Sequence, residues 1–308
     1  METLEVRPAI SLKNILVATD FSPVSKVALK YATAFAERHG SKIYVTHVIP
    51  PVPRSFIPIE PVPPELDADR TQADVEMKNF LAGGFLEHID HECVLERGPI
   101  RAALSDLVRK YEVGLVVLGT HGRGGISALF LGSVAEEVLR FVACPVLTIG
   151  PAVPAEPKDS GHVRQILFAT DFGPASLAAL PYAIAFAQED NSKLIMLHVL
   201  PTIAAPDAAM PWYTPADLIE KQERGRQRTL NRLAELIPKD QLSCPPELVV
   251  PFGTLPWGIL HVAEDRAADL IVMGVNEAAF VRASAHTPWA TAHGVLRHAR
   301  CPVLTVRS

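Results

Sequence analysis

Little in this chain invites nucleic acid or a membrane. Its 308 residues carry 29 Lys and Arg against 34 Asp and Glu, a formal net charge of -5. Without a clustered cationic surplus, the phosphate attraction behind nucleic-acid binding and adhesion to anionic bilayers has no source. Long hydrophobic runs are missing too, since stretches such as LVVLG and LIVMGV fall far short of the ~20 residues that cross a bilayer. The opening METLEVRPAI lacks a signal peptide's charged start and apolar core. Cys93, Cys144, Cys244 and Cys301 are too few and too spread for a disulfide framework or a CxxC zinc pair. A reducing cytoplasm is the expected setting, with no nucleic acid and no membrane as partner.

What the chain has is apolar material, 48% of its residues, and a length at which one core usually gives way to two domains. It also repeats itself. NILVATDFSPVS from Asn14 returns as QILFATDFGPAS from Gln165, THVIP from Thr46 as LHVLP from Leu197, and ACPVLTIG from Ala143 as RCPVLTVRS from Arg300. This is a duplicated unit of about 150 residues, an ordinary domain size. Between the copies GPAVPAEPKDSGH cannot bury a face and reads as a linker. The expected division is residues 1–150, a linker over 151–161, and residues 162–308.

Within each copy, short apolar runs alternate with helical patterns. ILVAT reads as a strand covered on both faces, and Ser22-Pro23 as a helix start with serine as N-cap and proline at the first position. Val24, Val27, Ala28, Tyr31 and Phe35 follow at helical spacing until Gly40. A strand KIYVTHV, a Pro-rich loop, a helix over about Leu66 to His88, a strand near Glu92 to Glu96 and a helix from Pro99 to Tyr111 come next. GLVVLG, a glycine loop, a helix from Ser133 and the strand PVLTI complete the copy. Five strands separated by helices predict an α/β fold, a parallel sheet with helices on both faces, in each half. In the second copy Pro181 falls inside the first helix, where a kink rather than a break is expected.

Ligands of such sheets sit beyond the carboxyl ends of the strands, where the strand order reverses. Thr19-Asp20, His47-Val48 and Gly119 end the first, second and fourth strands. The loop GTHGRGGISALFLGS from Gly119 then has glycines that let amides line an anion site, and Gly132-Ser133 opens a helix whose positive end points the same way. It is not a Walker loop, for no Gly-Lys-Ser/Thr follows, and composition leaves phosphate cradle and mobile linker equally open.

The spacing Gly119-x2-Gly122-x9-Gly132-Ser133 resembles the signature of ATP-binding universal stress proteins. ATDFS after the first strand, HV after the second and CPVL before the last match the rest of that domain, in tandem over nearly the whole chain. The resemblance implies two open five-stranded parallel sheets of order 3-2-1-4-5, Rossmann-like and of the adenine nucleotide alpha hydrolase type. It implies ATP, with or without Mg²⁺, as ligand. Ala18, Asp20 and Val48 would hold the adenosine, Asp20 near the ribose, while Leu118, Gly119, Gly122, Gly132, Ser133 and Val134 would line the phosphate side. It also implies pairing of the last strands across a two-fold, hence an intramolecular pseudo-dimer and, between chains, a homodimer.

The second copy keeps Asp171 and Val199 but has Asn276-Glu277 where the second glycine belongs and Trp289-Ala290 in place of Gly132-Ser133. One competent ATP site per chain, in the first half, is therefore expected. Arg123 is a candidate for charge-assisted phosphate contact, with solvation as the alternative, and His121 reads first as a solvent-facing loop residue. His286, His293 and His298 lack the i, i+4 spacing of a zinc pair. His47 and His198 read as hydrogen-bonded structural groups, and Cys144 and Cys301, each before proline, as packing positions. No serine sits in a GxSxG elbow, so no catalytic residue and no metal ligand is assigned. Two functions remain: a nucleotide-dependent stress-response regulator, favoured by the missing Walker lysine, and a slow ATPase or ATP-cleaving enzyme on the same fold.

Overall fold

A computed structural model describes residues 12–51, 68–120, 131–202, 215–237, 241–275 and 288–307. The first half runs β1 (Asn14–Ala18), α1 (Pro23–His39), β2 (Lys42–Ile49), α2 (Ala68–Leu81), β3 (His91–Arg97), α3 (Ile100–Lys110), β4 (Leu115–Gly119), α4 (Ser133–Phe141) and β5 (Val146–Ile149). The second runs β6 (Gln165–Ala169), α5 (Pro174–Glu189), β7 (Lys193–Leu197), β8 (Leu200–Pro201), α6 (Pro215–Ala234), β9 (Glu247–Val249), β10 (Phe252–Gly253), α7 (Trp257–Asp265), β11 (Leu270–Val275), α8 (Pro288–His298) and β12 (Val303–Arg307). The strand order is β3-β2-β1-β4-β5 in the first half and β9-β7-β6-β11-β12 in the second, the 3-2-1-4-5 arrangement in each. The two-residue strands β8 and β10 pair apart from the main sheet and are too short to leave a periodic signal.

Strand side chains alternate between faces, and the core divides accordingly. Ile15, Val17, Ile43, Val45, Leu115 and Val117 pack with α1, α2, α5 and α6, while Leu16, Tyr44, Val116 and Leu118 pack with α3, α4, α7 and α8. The two five-stranded sheets meet at a seam where β5 and β12 pair antiparallel, Leu147 opposite Leu304. Thr148 donates its hydroxyl to the Val303 carbonyl at 3.0 Å and Thr305 donates to the Val146 carbonyl at 3.2 Å. This exchange satisfies two buried hydroxyls, and neither last strand is left as an open edge.

Local chemistry sets the helix ends. Ser22 caps α1 by accepting from the Ser25 amide, and Gly40 closes it in the left-handed conformation at φ 62°. The helix expected to reach His88 stops at Leu81, because Gly84 adopts φ 70° two residues after Ala82 and ends the regular turn. Helix α5 runs through Pro181 without a break. Buried Leu180, Ala183 and Ile184 pin it to the sheet on either side of the missing hydrogen bond.

Candidate functional site

The connection from β1 to α1 is held by its own polar side chains. The Thr19 amide extends the sheet by donating to the Thr46 carbonyl at 2.9 Å. Phe21 then adopts φ 64°, a strained choice for a bulky residue. Its amide donates to Thr19 Oγ1 at 2.9 Å, its ring lies on His47 with centroids 4.4 Å apart, and the same ring meets Phe80 edge-on at 5.7 Å. His47 Nδ1 is 2.8 Å from the Thr19 carbonyl oxygen, so the proton is on Nδ1 and the ring donates. Asp20 Oδ1 accepts from the Ser22 amide at 3.0 Å. The second half repeats the device: Phe172 has φ 60°, its ring lies 4.9 Å from that of His198, and His198 Nδ1 is 2.8 Å from the Thr170 carbonyl oxygen. The repeated histidines are thus structural parts of the turn.

Beyond this turn, between the ends of β1, β2 and β4 and the start of α4, lies a cavity of ≈ 150 Å³. Of the ten sequence-derived candidates, Ala18, Asp20, Val48, Leu118, Gly119, Gly132, Ser133 and Val134 all line it. Gly122 and Arg123, with His121, lie outside the described residues. The base of their loop is fixed, since the Thr120 amide donates to the Ile149 carbonyl at 2.9 Å and the Gly132 amide to the Thr120 carbonyl at 2.8 Å. Ser133 begins α4 behind Gly132, so the helix's unpaired amides and positive dipole end face the cavity's α4 side.

Sequence reasoning missed part of the wall. Ile100 and Leu104 of α3 line the cavity beside Val48 and Leu118. Their signal was the apolar spacing 100, 104, 107 on α3, which reads as core because Leu104 and Leu107 are indeed buried. Thr19, Ser25, Thr46, Thr120 and Ala135 also contribute. Among the described residues no lysine or arginine lines the space. Chemically, the site joins an apolar slot suited to a flat ring, a carboxylate suited to hydroxyl donors, and a helix end suited to anionic oxygens.

Gly119 is required for a reason the sequence did not disclose. A Cβ there would lie 2.9 Å from Val24 Cγ1 and 3.2 Å from the Ser25 amide nitrogen. The glycine thus lets the first turn of α1 pack on the end of β4. At the matching Gly274 a Cβ would come within 2.1 Å of the Ala175 carbonyl carbon, so the second half keeps this glycine for packing. Its own cavity, ≈ 180 Å³, is lined by residues including Ala169, Asp171, Val199, Met273 and Gly274. Asn276 and Glu277 lie outside the described residues.

The remaining candidates fall into place as surface or core. Cys301 is buried and Cys144 half-buried, and burial pushes both thiols up to about 12. No group of three His, Cys, Asp or Glu able to hold a metal occurs among the described residues, and His286 lies outside them. On α6, Arg226 pairs with Glu223 and Arg224 with Glu220 on an exposed face. Among the described residues no helix is long and apolar enough to cross a membrane. Of the Pro-rich loop from Pro50 to Pro64, residues 52–64 lie outside the described residues.

The sequence profile described as the universal stress protein family matches residues 11–150 and again residues 162–307. A universal stress protein of Methanocaldococcus jannaschii is 31% identical over 140 residues, covering 44% of this chain and 81% of the relative. Universal stress protein E of Escherichia coli K12 is 41% identical over 86 residues, covering 28% and 26%. Among solved structures, a universal stress protein from Archaeoglobus fulgidus covers 96% of this chain and 99% of its own, with a TM-score of 0.65 at 20% identity. A functionally unknown protein from Pseudomonas aeruginosa PAO1 covers 96% and 93%, with a TM-score of 0.58 at 18% identity. At these identities the structural likeness speaks for the fold, two such sheets in one chain.

Proposed function

The chain belongs to the universal stress protein family, and from that premise we propose that its first half binds ATP and serves as a nucleotide-dependent regulator in a stress response. The observation that carries this reading is the convergence of eight residues, Ala18, Asp20, Val48, Leu118, Gly119, Gly132, Ser133 and Val134, on one cavity. Val48, Ile100, Leu104 and Leu118 would take the adenine and Asp20 the ribose hydroxyls. The α4 amides with Ser133, and the Gly122-Arg123 segment, would take the phosphates, with or without Mg²⁺. The second half has Trp289-Ala290 where the first has Gly132-Ser133, so one ATP per chain is expected. The β5–β12 seam supports treating the two halves as a pseudo-dimer inside one chain, working in the cytoplasm; a homodimer of chains would use a further surface.

Titrating purified full-length protein with ATP tests this. One equivalent should bind, and Ser133→Glu, which puts bulk and negative charge at an exposed helix start, should abolish it. Two equivalents, or none, would overturn the reading. The alternative is slow ATP cleavage on the same frame. Product forming over multiple turnovers per minute with ATP and Mg²⁺, and lost in Asp20→Ala, would make the protein an enzyme instead.

A further inference from the structure

We infer that the second half holds a ligand site of its own, for an uncharged, flat molecule bearing neighbouring hydroxyls, of which an unphosphorylated nucleoside is the type. Its cavity measures ≈ 180 Å³ against ≈ 150 Å³ in the first half, so loss of the glycine signature has not filled it. The lining has changed instead. Leu197 stands where the first cavity has Thr46, and Val199, Leu255, Ile259 and Met273 complete an apolar slot. Helix α4 gives the first cavity Gly132 at its cap and Ser133 at its start, whereas α8 gives the second only Thr291 among the described residues. Among the described residues no lysine or arginine lines either cavity, so the difference for a phosphate lies at this helix end.

Among the described residues the slot's one carboxylate is Asp171, and it is held in place. Oδ1 accepts from the Gly173 amide at 2.8 Å and from the Ser176 hydroxyl at 2.7 Å, while Ser176 Oγ lies 2.9 Å from Thr170 Oγ1. Both halves bring this serine hydroxyl close to a turn carbonyl, Ser25 to Ser22 at 2.9 Å and Ser176 to Gly173 at 3.0 Å, and Ser176 lies closer still to Asp171. Asp171 Oδ2 carries no hydrogen bond among the described residues. A carboxylate fixed by one oxygen, with the other left to accept, repels anions and suits hydroxyl donors. The choice of a nucleoside as the type rests on the ATP reading of the first half; the cavity and its charge stand without it.

Equilibrium dialysis of the full-length chain with labelled adenosine and, separately, with ATP tests the inference in wild type, Asp20→Asn and Asp171→Asn. Asparagine keeps the Oδ1 acceptor for the turn amide and removes the charge. Adenosine should bind at a site that Asp20→Asn leaves intact, that Asp171→Asn weakens tenfold or more, and from which ATP does not displace it. Leu255→Asp, at a wall position 48% exposed, should weaken adenosine in the same way should Asp171→Asn fold poorly. No adenosine bound by the Asp20→Asn chain, binding indifferent to Asp171→Asn and Leu255→Asp, or full displacement by ATP would each overturn it. Failure to bind ATP in wild type would sink the proposed function alone, because the adenosine measurement is read separately.

Discussion

Arg38 at the end of α1 and Asp190 at the cap of α5 form an ion pair that ties the first half of the chain to the second. The aspartate side chain is only 2% exposed, and it also accepts from the Val163 amide at 2.8 Å and faces His162 Nδ1 at 3.1 Å. Arg38 donates in addition to the Gly161 carbonyl at 2.9 Å, and beside the pair Phe35 meets Phe186 edge-on at 5.7 Å. One carboxylate thereby locks two helices and the connecting segment together.

Removing that carboxylate leaves a guanidinium without its buried partner, a loss that typically costs about 3–5 kcal/mol. Because Arg38 keeps 16% side-chain exposure, Asp190→Ala should fall near the lower end, about 3 kcal/mol, in equilibrium denaturation. Arg38→Ala combined with it should cost clearly less than the two losses added, since each single change strands the other partner. Additive losses would show that the pair does not act as a unit.

The two matching glycines should respond unequally to alanine. At Gly119 the nearest atom to a new Cβ is the tip of Val24, at 2.9 Å, which can turn away. At Gly274 it is the backbone of Ala175 and Ser176, at 2.1 and 2.2 Å, which cannot. Gly119→Ala should cost about 1–3 kcal/mol, the usual range for overpacking. Gly274→Ala should cost more than that range or fail to give folded protein. Equal melting temperatures for the two variants would contradict this account.

These glycines also mark the limit of what the sequence discloses. The strands, the helix faces and the polar strand ends were legible because period-2 and helical patterns are local; the strand order and the full set of cavity residues followed only from the resemblance to universal stress proteins that the glycine spacing carries. Why Gly119 is needed was not, since the reason is a helix turn packed against a strand end. Ile100 and Leu104 looked like any core stripe, and only the tertiary arrangement puts them in the wall of a cavity. The Arg38–Asp190 pair joins residues from opposite halves, and no spacing rule connects them.

Thiol chemistry separates the four cysteines. Burial pushes Cys144 and Cys301 up to about 12, whereas Cys93 and Cys244 are exposed, the former with its thiol raised by partial burial. The thiolate is the reactive species. A thiol-specific chromogenic reagent at pH 8 should therefore titrate Cys244 and, more slowly, Cys93 in the native protein. Cys144 and Cys301 should react only after denaturation. Rapid native labelling of Cys301, located by mass spectrometry, would show that β12 opens readily and that the seam is weaker than its hydrogen bonds imply.

Acid should loosen the contact between the halves. Burial, assisted by Arg38, holds His39 below the ordinary histidine pKa of 6.5, against the opposing pull of Glu189 and Asp190. His39 Nε2 is 3.6 Å from Glu189 Oε2, and the ring stacks on Phe35 at 6.3 Å. A histidine whose folded pKa is depressed binds its proton better in the unfolded chain. Its effect is therefore absent well above pH 6.5, and stability falls as pH drops below that value, levelling off once pH passes the folded pKa. His293 and His298 are lowered by burial too and act in the same direction. Unfolding free energies at pH 7.5 and pH 5.5 should thus differ in the wild type, the acid value being lower, and His39→Gln should narrow the gap without closing it. The same drop in both proteins would remove His39 from the explanation, and no drop in the wild type would refute the sign.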